Sequence, residues 1–390
     1  MSRSYIVVGA GIGGLAAALA LQRTRARVRV FEQAPELSEV GAGLSITPNA
    51  GNAIIALGLG AELERIGSTP TSGAIRHYQT GATLVALPQD DSRERYGVPL
   101  FHVHRADLQR SLEAAVRTND RDAIQVGKSL ASITQTGSSV HAQFADGSSA
   151  DADALIGCDG ARSTVRSKLF GCEEPRFIGF VAWRGLIPAD AAPASLDAPM
   201  SMTVGPRRML MRYPLRGGSL VNIVAIARRD RWTEEGWSVR ADQSELLDEF
   251  CDFEPQSREL LAAIPADRCF KWGLFDRDPL RTWTAGRCML LGDAAHPMPP
   301  FAGQGAAMAL EDAVALGRAV ETTSDIAAAS YRYESARQAR VRHVLRMSRA
   351  RADLYFAPDP EAQVRALAAG MAELRTLYDA ETLSVPGNQA

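Results

Sequence analysis

The sequence predicts an α/β protein of two interleaved domains, one built on parallel strands and helices and one mainly antiparallel β-sheet, followed by C-terminal helices. Three observations predict it. A strand, a glycine-rich turn, a helix and a second strand follow one another at the start of the chain. Two later apolar strands, ending at Gly157 and Gly292, also run straight into glycine-bearing turns and helices. Between these segments the hydrophobic pattern changes to alternation, so a second domain is entered and left more than once.

The first unit is Tyr5-Ile-Val-Val-Gly-Ala-Gly-Ile-Gly-Gly14. Tyr5 to Val8 read as a short buried parallel strand. An alanine-rich helix runs from about Gly13 to Thr24, and Val28-Arg-Val-Phe31 restarts a β-branched strand that ends at Glu32. This is a Rossmann-like βαβ unit. Gly9 allows the tight turn, Gly11 lets the backbone approach a pyrophosphate, and Gly14 lets the helix pack closely on the sheet. The helix N-terminus turns its free N–H groups and positive dipole end toward the phosphates. Glu32, eighteen residues beyond Gly14, is placed to accept hydrogen bonds from ribose hydroxyls. The unit predicts dinucleotide binding.

At 390 residues, one large or two medium domains are expected. With 46% hydrophobic and 23% charged residues the composition is that of a soluble globular protein with its own core. A net charge of -2 gives no basis for a nucleic-acid partner. Five cysteines, an odd number without a CxxC pair and with no signal peptide before the first strand, indicate free thiols in a reducing, cytoplasmic setting. No apolar run reaches the ~18 residues of a membrane span. His102 and His104 are the only close histidines, and no carboxylate or cysteine cluster accompanies them, so no metal site is expected.

Along the chain, Gly41-Ala-Gly43 lets the backbone pass close to another group, and Pro48-Asn49 opens an amphipathic helix to about Leu57. Residues 74–100 read as short strands. Phe101 to His104 is a strand leading into a helix that Asp107 is placed to cap, although Arg105 or Ala106 already falls in a first turn. Residues 124–156 are strands with a turn at Ala145-Asp-Gly147. Met209 to Leu215, the turn Arg216-Gly-Gly-Ser219, and Leu220 to Ile226 form a β-hairpin. Residues 242–263 hold one or two helices. A long helix runs from about Gly305 to Val320, and the last sixty residues are Ala/Arg-rich and helical in period before the Pro386-Gly-Asn tail. The parallel domain therefore takes 1–73, 101–176 and 271–325, the antiparallel domain 74–100 and 177–270, and the C-terminal helical region 326–390. The Tyr331 to Tyr355 helix is expected to pack on its own domain, the alternative being a dimer seam, so a monomer or a homodimer is expected.

Two further stretches carry chemistry. Cys158-Asp159-Gly160-Ala-Arg162-Ser163-Thr-Val-Arg166 follows a buried strand and starts a helix, which suits a tight turn beside a bound group or a simple capped helix. Gly292-Asp293-Ala-Ala-His296-Pro-Met-Pro-Pro-Phe301-Ala-Gly303-Gln304-Gly305 also leaves a strand end. Asp293 can hold a polyhydroxyl chain, and Gly303 and Gly305 open a helix whose N-terminus favours an anion. His296 reads as a structural turn residue. Three such sites on one sheet edge suit a ligand longer than a mononucleotide.

In this order and spacing the three stretches resemble the group A flavoprotein monooxygenases, the aromatic hydroxylases of the p-hydroxybenzoate hydroxylase fold, over most of residues 1–345. The wider pattern, Tyr213-Pro-Leu, Asn222, Asp278-Pro and Gly303-Gln-Gly-Ala-Ala-Met-Ala-Leu-Glu-Asp312, is similar to the salicylate and 3-hydroxybenzoate hydroxylase subgroup. The resemblance implies FAD bound by Gly9, Gly11, Gly14, Glu32, Gly43, Arg105, Asp159, Asp293, Gly303, Gln304 and Gly305. Arg162 and Arg166 match the basic positions of the second motif. It implies NADH or NADPH as external reductant, in keeping with the lack of a second GxGxxG, then addition of O2 to give a C4a-hydroperoxide whose distal oxygen passes to a small aromatic substrate. Tyr213 matches a substrate-facing tyrosine and is the catalytic candidate. Thr47, Arg184, Met209, Met211, Pro299 and Phe301 complete the expected pocket.

The chain departs from its relatives in this pocket. Histidines found in some of them are replaced here by Thr47, Met209 and Phe301, which favours an apolar or fused aromatic over 3-hydroxybenzoate or 6-hydroxynicotinate. Epoxidation or hydroxylation of a non-phenolic, polycyclic substrate, and an FAD-dependent reductase or binding protein, are the alternatives. Arg184 and Arg212 are the candidate carboxylate partners, but strand alternation puts Arg212 on the face opposite Met209, Met211 and Tyr213. One tryptophan before Ile187-Pro188 does not make the Trp-x-Trp-x-Ile-Pro signature of flavin halogenases.

Overall fold

The computed structural model describes residues 2–37, 43–70, 72–87, 91–171, 174–193, 200–232 and 239–378. Gly41 and Ala42, the Pro386 tail and one of the five cysteines, Cys172, lie outside the described residues. Two large sheets organise the rest. The first has six strands in the order Thr284–Ala285, Cys288–Leu290, Ala154–Gly157, Ser4–Val8, Arg27–Phe31 and Ile124–Gln125. All its pairings are parallel except that of the short Thr284–Ala285 edge strand. Its interior strands are apolar on both sides because helix Ile12–Arg23 covers one face and the three-stranded sheet of residues 130–152 covers the other, where Phe31 meets Phe144 at 4.4 Å between ring centres. Ile12–Arg23 is buried from Ile12 to Leu21 apart from Gly13, and it packs on Gly305–Glu321, where a Cβ on Gly317 would stand 3.1 Å from that of Ala20.

Parallel pairing sets the C-terminal ends of four strands side by side. Leu290, Gly157, Val8 and Phe31 therefore deliver Asp293, Asp159, Gly9 and Glu32 to one edge, where ligands bind in sheets of this kind.

The second sheet has eight strands in the order Val239–Arg240, Phe270–Asp276, Arg176–Pro188, Leu220–Arg228, Arg208–Leu215, Met200–Gly205, Gly73–His77 and Thr83–Leu87. It is antiparallel except between Met200–Gly205 and Gly73–His77. One face carries a core of Trp183, Leu210, Ile223, Ala225 and helices Gln243–Glu249 and Pro255–Ala262. The other carries Ile75, Phe180, Met209, Ile226 and Phe301. A small two-stranded ribbon, Gly43–Ile46 with Phe101–His104, and a three-stranded sheet of residues 130–152 complete the β-structure.

Three sequence expectations are corrected. The domain division at 270/271 cuts through the Phe270–Asp276 strand, which pairs with Arg176–Pro188 in the antiparallel sheet, so the division falls after Asp276. The segment 74–100 holds a helix, Ser92–Tyr96, besides its strands. His104, not Asp107, is the N-cap of helix Arg105–Asn119. Asp107 lies in the first turn and accepts from Arg216 at 2.8 and 2.9 Å, tying the hairpin turn of the second sheet to this helix.

Helix Ile326–Tyr355, capped by Asp325, packs against Gly305–Glu321 of its own chain. Helix Pro360–Arg375 folds back over the second sheet, and Gln363 Nε2 donates to Gly205 O at 2.7 Å. No helix among the described residues is long and apolar enough to cross a membrane.

Candidate active site

At the glycine turn the three glycines serve different ends. Gly9 has φ +99°, and a Cβ there would lie 2.5 Å from the carbonyl oxygen of Cys158. A Cβ on Gly14 would lie 1.9 Å from Gly9 O. Both are demanded by the protein's own backbone. At Gly11 no atom stands within 4 Å of the Cβ position, so this side of the turn faces open space. Gly11 opens helix Ile12–Arg23 without a side-chain cap and without an acid in the first turn. Gln304 opens Gly305–Glu321 in the same way, and Gly303 and Gly305 likewise face open space. Each of these two uncapped helix starts thus offers N–H donors beside open space.

The turn is clamped. Ala10 N donates to Glu32 Oε2 at 2.8 Å, and Gln109 Nε2 donates to Ala10 O at 3.0 Å. Glu32 Oε1 also accepts from Ala34 N at 2.9 Å, and each carboxylate oxygen keeps a second lone pair for a hydroxyl. Gln109 was not foreseen. Its only sequence signal is its place one helical turn beyond Arg105.

Asp293 sits in the 3-10 turn Gly292–Ala294. Its own surface is accessible, yet protein crowds the carboxyl on its other sides. That burial pushes it above the ordinary carboxylate range, while the charges of His296 and Arg105 act in the opposite sense. The turn is held from behind. Asp312 Oδ2 accepts from Gly292 N at 3.1 Å and from His296 Nε2 at 2.6 Å. His296 is buried and structural, its ring tilted over Trp283.

Asp159 spends both oxygens on its own helix, accepting from Ser163 Oγ and, at 3.0 Å, from Val165 N. Burial raises its pKa against those bonds. Gly160, with φ +77° and no atom within 4 Å of its Cβ position, is the part of this turn that faces open space. Arg166 is buried, with Nη1 donating to Ala295 O at 3.2 Å, and Arg162 is exposed.

The second sheet presents three successive rows on one face. Ala182, Ile226, Met209 and Val204 are paired across neighbouring strands, with Trp272 beside Ala182. Arg184, Val224, Met211 and Met202 form the next row. Leu186, Asn222 and Tyr213 form the third. The alternation that separates Arg212 from Met209, Met211 and Tyr213 is therefore realised, and Arg212 lies buried on the far face beside Glu254 and Leu260. Arg184 stacks its guanidinium 5.1 Å from the centre of the Trp272 ring.

Over the first row, Phe301 meets Phe180 and Phe356 at 5.1 and 5.5 Å between ring centres. Buried Pro299 accepts from Ser348 Oγ at 2.6 Å through its carbonyl. The C-terminal helices thus wall the region around Met209 and Phe301, a role the sequence did not indicate.

Tyr213 is buried, and its ring stacks on His102 at 4.2 Å. Burial holds its phenol well above the usual range, so it remains protonated. Gly43, expected as a cofactor glycine, is also confined by the protein's own side chains. A Cβ there would stand 2.5 Å from Tyr213 Cε2 and 2.8 Å from Asn222 Cγ. Thr47, Asn49 and Gln304 close a buried ring of hydrogen bonds. Thr47 Oγ1 donates to Asn49 Oδ1 at 2.8 Å, Asn49 Nδ2 to Gln304 Oε1 at 2.9 Å, and Gln304 Nε2 to Thr47 Oγ1 at 3.1 Å. Asn49 Nδ2 also donates to Glu311 Oε1 at 2.7 Å, linking this ring to Arg337 and Arg340 of the C-terminal helix.

The FAD binding domain family matches residues 4–349. A 3-amino-4-hydroxybenzoate 2-monooxygenase of Streptomyces platensis is 35% identical, covering 92% of this chain and 90% of its own length. A 3-hydroxybenzoate 6-hydroxylase of Klebsiella oxytoca is 36% identical, covering 93% and 91%. Among solved structures, Klebsiella pneumoniae HpxO complexed with FAD and uric acid superposes with a TM-score of 0.85 at 31% identity, covering 98% and 97%. The glycine turn, the two uncapped helix starts and Asp293 suit an extended dinucleotide, and with these likenesses the chain belongs to the FAD binding domain family as a flavoprotein monooxygenase of the aromatic hydroxylase group.

Proposed function

We propose that the protein hydroxylates a small aromatic acid, using O2 and with NADH or NADPH as reductant. The observation that carries this reading is the face of the second sheet. Arg184 stands there among Trp272, Val224, Met211 and Met202, with Tyr213 one row away. A carboxylate on the guanidinium would lay an aromatic ring along the methionines. The hydroxybenzoate substrates named for two relatives support the same class.

Each residue then has a task. Arg184 orients the carboxylate. Met209, Met211, Pro299 and Phe301 exclude water from the ring. Tyr213, kept neutral by burial, donates to a ring oxygen and does not act as a base. FAD, when bound, supplies the electron storage and oxygen activation that side chains cannot. Gly11, Gly303 and Gly305 give its phosphates an approach, and Glu32, Arg105 and Asp293 supply polar contacts. The four described cysteines are unpaired, which suits a reducing cytoplasm.

Arg184→Met is expected to raise the KM for 3-hydroxybenzoate by about tenfold to a hundredfold, in the range lost with a charge-assisted hydrogen bond. Turnover of the uncharged amide should change little. Equal effects on both would show that Arg184 does not hold a carboxylate. Mass spectrometry of the products tests the class itself, because a hydroxybenzoate that gains one oxygen atom is required. A non-phenolic ring is the second reading, favoured by the non-basic Thr47, Met209 and Phe301, and the position of the added oxygen separates the two.

Asp293→Asn provides a test of the cofactor site. A carboxyl whose folded pKa lies above its unfolded value of about 3.9 destabilises the fold as pH rises through that window. The asparagine variant should therefore melt higher than the parent at pH 7 without FAD, yet bind FAD more weakly in a fluorescence titration. A lower melting temperature and unchanged FAD affinity would remove Asp293 from the site.

A further inference from the structure

Asn222 faces Tyr213 across the hairpin and is completely buried. Its Oδ1 accepts from Gly43 N at 2.8 Å. An N–H can be met only by the amide oxygen, so this bond fixes which way the side chain is turned. The Nδ2 group, with two N–H donors, is then left buried with no hydrogen-bond partner. Buried donors without partners are rare and costly in native proteins. Anchoring Gly43 needs only an acceptor, which a threonine hydroxyl would also provide. The residue at this position carries a donor as well.

The amide that carries this donor lies opposite Tyr213. The point where a Cβ on Gly43 would stand is 2.7 Å from the Tyr213 hydroxyl and 2.8 Å from Asn222 Cγ. The Tyr213 hydroxyl and the Asn222 side-chain amide therefore both pack against Gly43 as neighbours on one face of the sheet. Arg184 pairs with Val224, two residues along the strand from Asn222 on the same face. Two residues of strand span about 6.6 Å, close to the width of a benzene ring with its substituents.

We propose that Asn222 is a substrate-binding, specificity-determining residue, whose Nδ2 amide and the Tyr213 hydroxyl form a donor pair for the ring oxygen of the aromatic acid that Arg184 holds. The inference rests on the aromatic-acid reading given above. It divides recognition between two ends of the ring, a cation for the carboxylate and two neutral donors for the oxygen substituent.

The test is a ligand–residue cycle on the FAD-loaded protein, with binding of 3-hydroxybenzoate and of benzoate followed by flavin difference absorbance. The parent protein should bind 3-hydroxybenzoate more tightly. In Asn222→Leu that preference should shrink by about fivefold to tenfold, while benzoate affinity holds. If the leucine variant does not fold or load FAD, Asn222→Thr, which keeps an oxygen for Gly43, is read in the same way. Equal weakening of both ligands would mean that Asn222 only anchors Gly43, and an unchanged preference would likewise overturn its assignment alone. A parent protein that binds neither ligand would overturn the aromatic-acid reading and Asn222 with it.

Discussion

Gly14→Ala is expected to leave a protein that does not hold its native first sheet, whereas Gly11→Ala should fold and lose FAD. The two glycines are three residues apart in one motif, but their surroundings differ. A Cβ at position 14 would meet Gly9 O at 1.9 Å, and neither partner is a flexible side chain. Relief requires the helix Ile12–Arg23 to move off the sheet, with a cost of about 3 kcal/mol or more at the upper end of overpacking. A Cβ at position 11 meets nothing within 4 Å, so the melting temperature without cofactor should match the parent's. FAD affinity should fall about tenfold to a hundredfold, because the methyl stands where the pyrophosphate is to pass. Fluorescence quenching of FAD and thermal melts read the two effects separately. If Gly11→Ala binds FAD as tightly as the parent, the phosphates do not run past this turn.

Arg337→Met should cost about 3–5 kcal/mol of stability, the range for removing one partner of a buried ion pair. Arg337 Nε donates to Asp312 Oδ1 at 2.7 Å, and its Nη1 lies 2.7 Å from Glu311 Oε2, all three side chains being buried. The loss is not confined to charge. Asp312 carries the Gly292 and His296 contacts that hold the Asp293 turn, so FAD affinity should fall as well. Burial pulls the Asp312 carboxyl up, but His296 and Arg337 outweigh it and hold it below the ordinary range. Its contribution to stability is therefore complete above the unfolded carboxyl pKa of about 3.9 and is lost as pH falls through the lower folded value. Acid unfolding of the parent should show that loss below about pH 4, and the variant should show less of it. A denaturation midpoint equivalent to within about 1 kcal/mol of the parent would show that the network contributes little.

The parts that were legible in the sequence are those decided within one element. The strand–turn–helix–strand at residues 5–32, the hairpin around Arg216 and the strand ends before Asp159 and Asp293 each carry their own turn chemistry and period. The face shared by Met209, Met211 and Tyr213 followed from alternation alone. What alternation cannot supply is the partner strand. Asn222 belonged to a spacing pattern, but its place opposite Tyr213 depends on register, and its bond to Gly43 depends on a ribbon nearly 180 residues earlier. His102 was given no role from the sequence and is a stacking partner for Tyr213. The contacts of Gln109 with Ala10 and of Asn49 with Gln304 and Glu311 could not be read locally, since these partners are distant in sequence. The misplaced division at 270/271 has a similar cause, because the strand Phe270–Asp276 is recognised by what it pairs with.

The strand order of the first sheet also bears on how the chain is made. Cys288–Leu290 pairs with Ala154–Gly157 and covers its free edge, so the sheet cannot close until residues near 290 have left the ribosome. Domains that complete early in synthesis fold as they emerge, but this one must wait for three quarters of its length. Until then the Ala154–Gly157 edge, apolar and unpaired, is open to strands of other nascent chains. Slow translation should therefore prolong the vulnerable interval, and a chaperone that shields apolar strands should matter most before the Asp293 turn is synthesised. Because Asp293 arrives with the closing strand, the completed cofactor edge and the protected sheet appear at the same moment of synthesis.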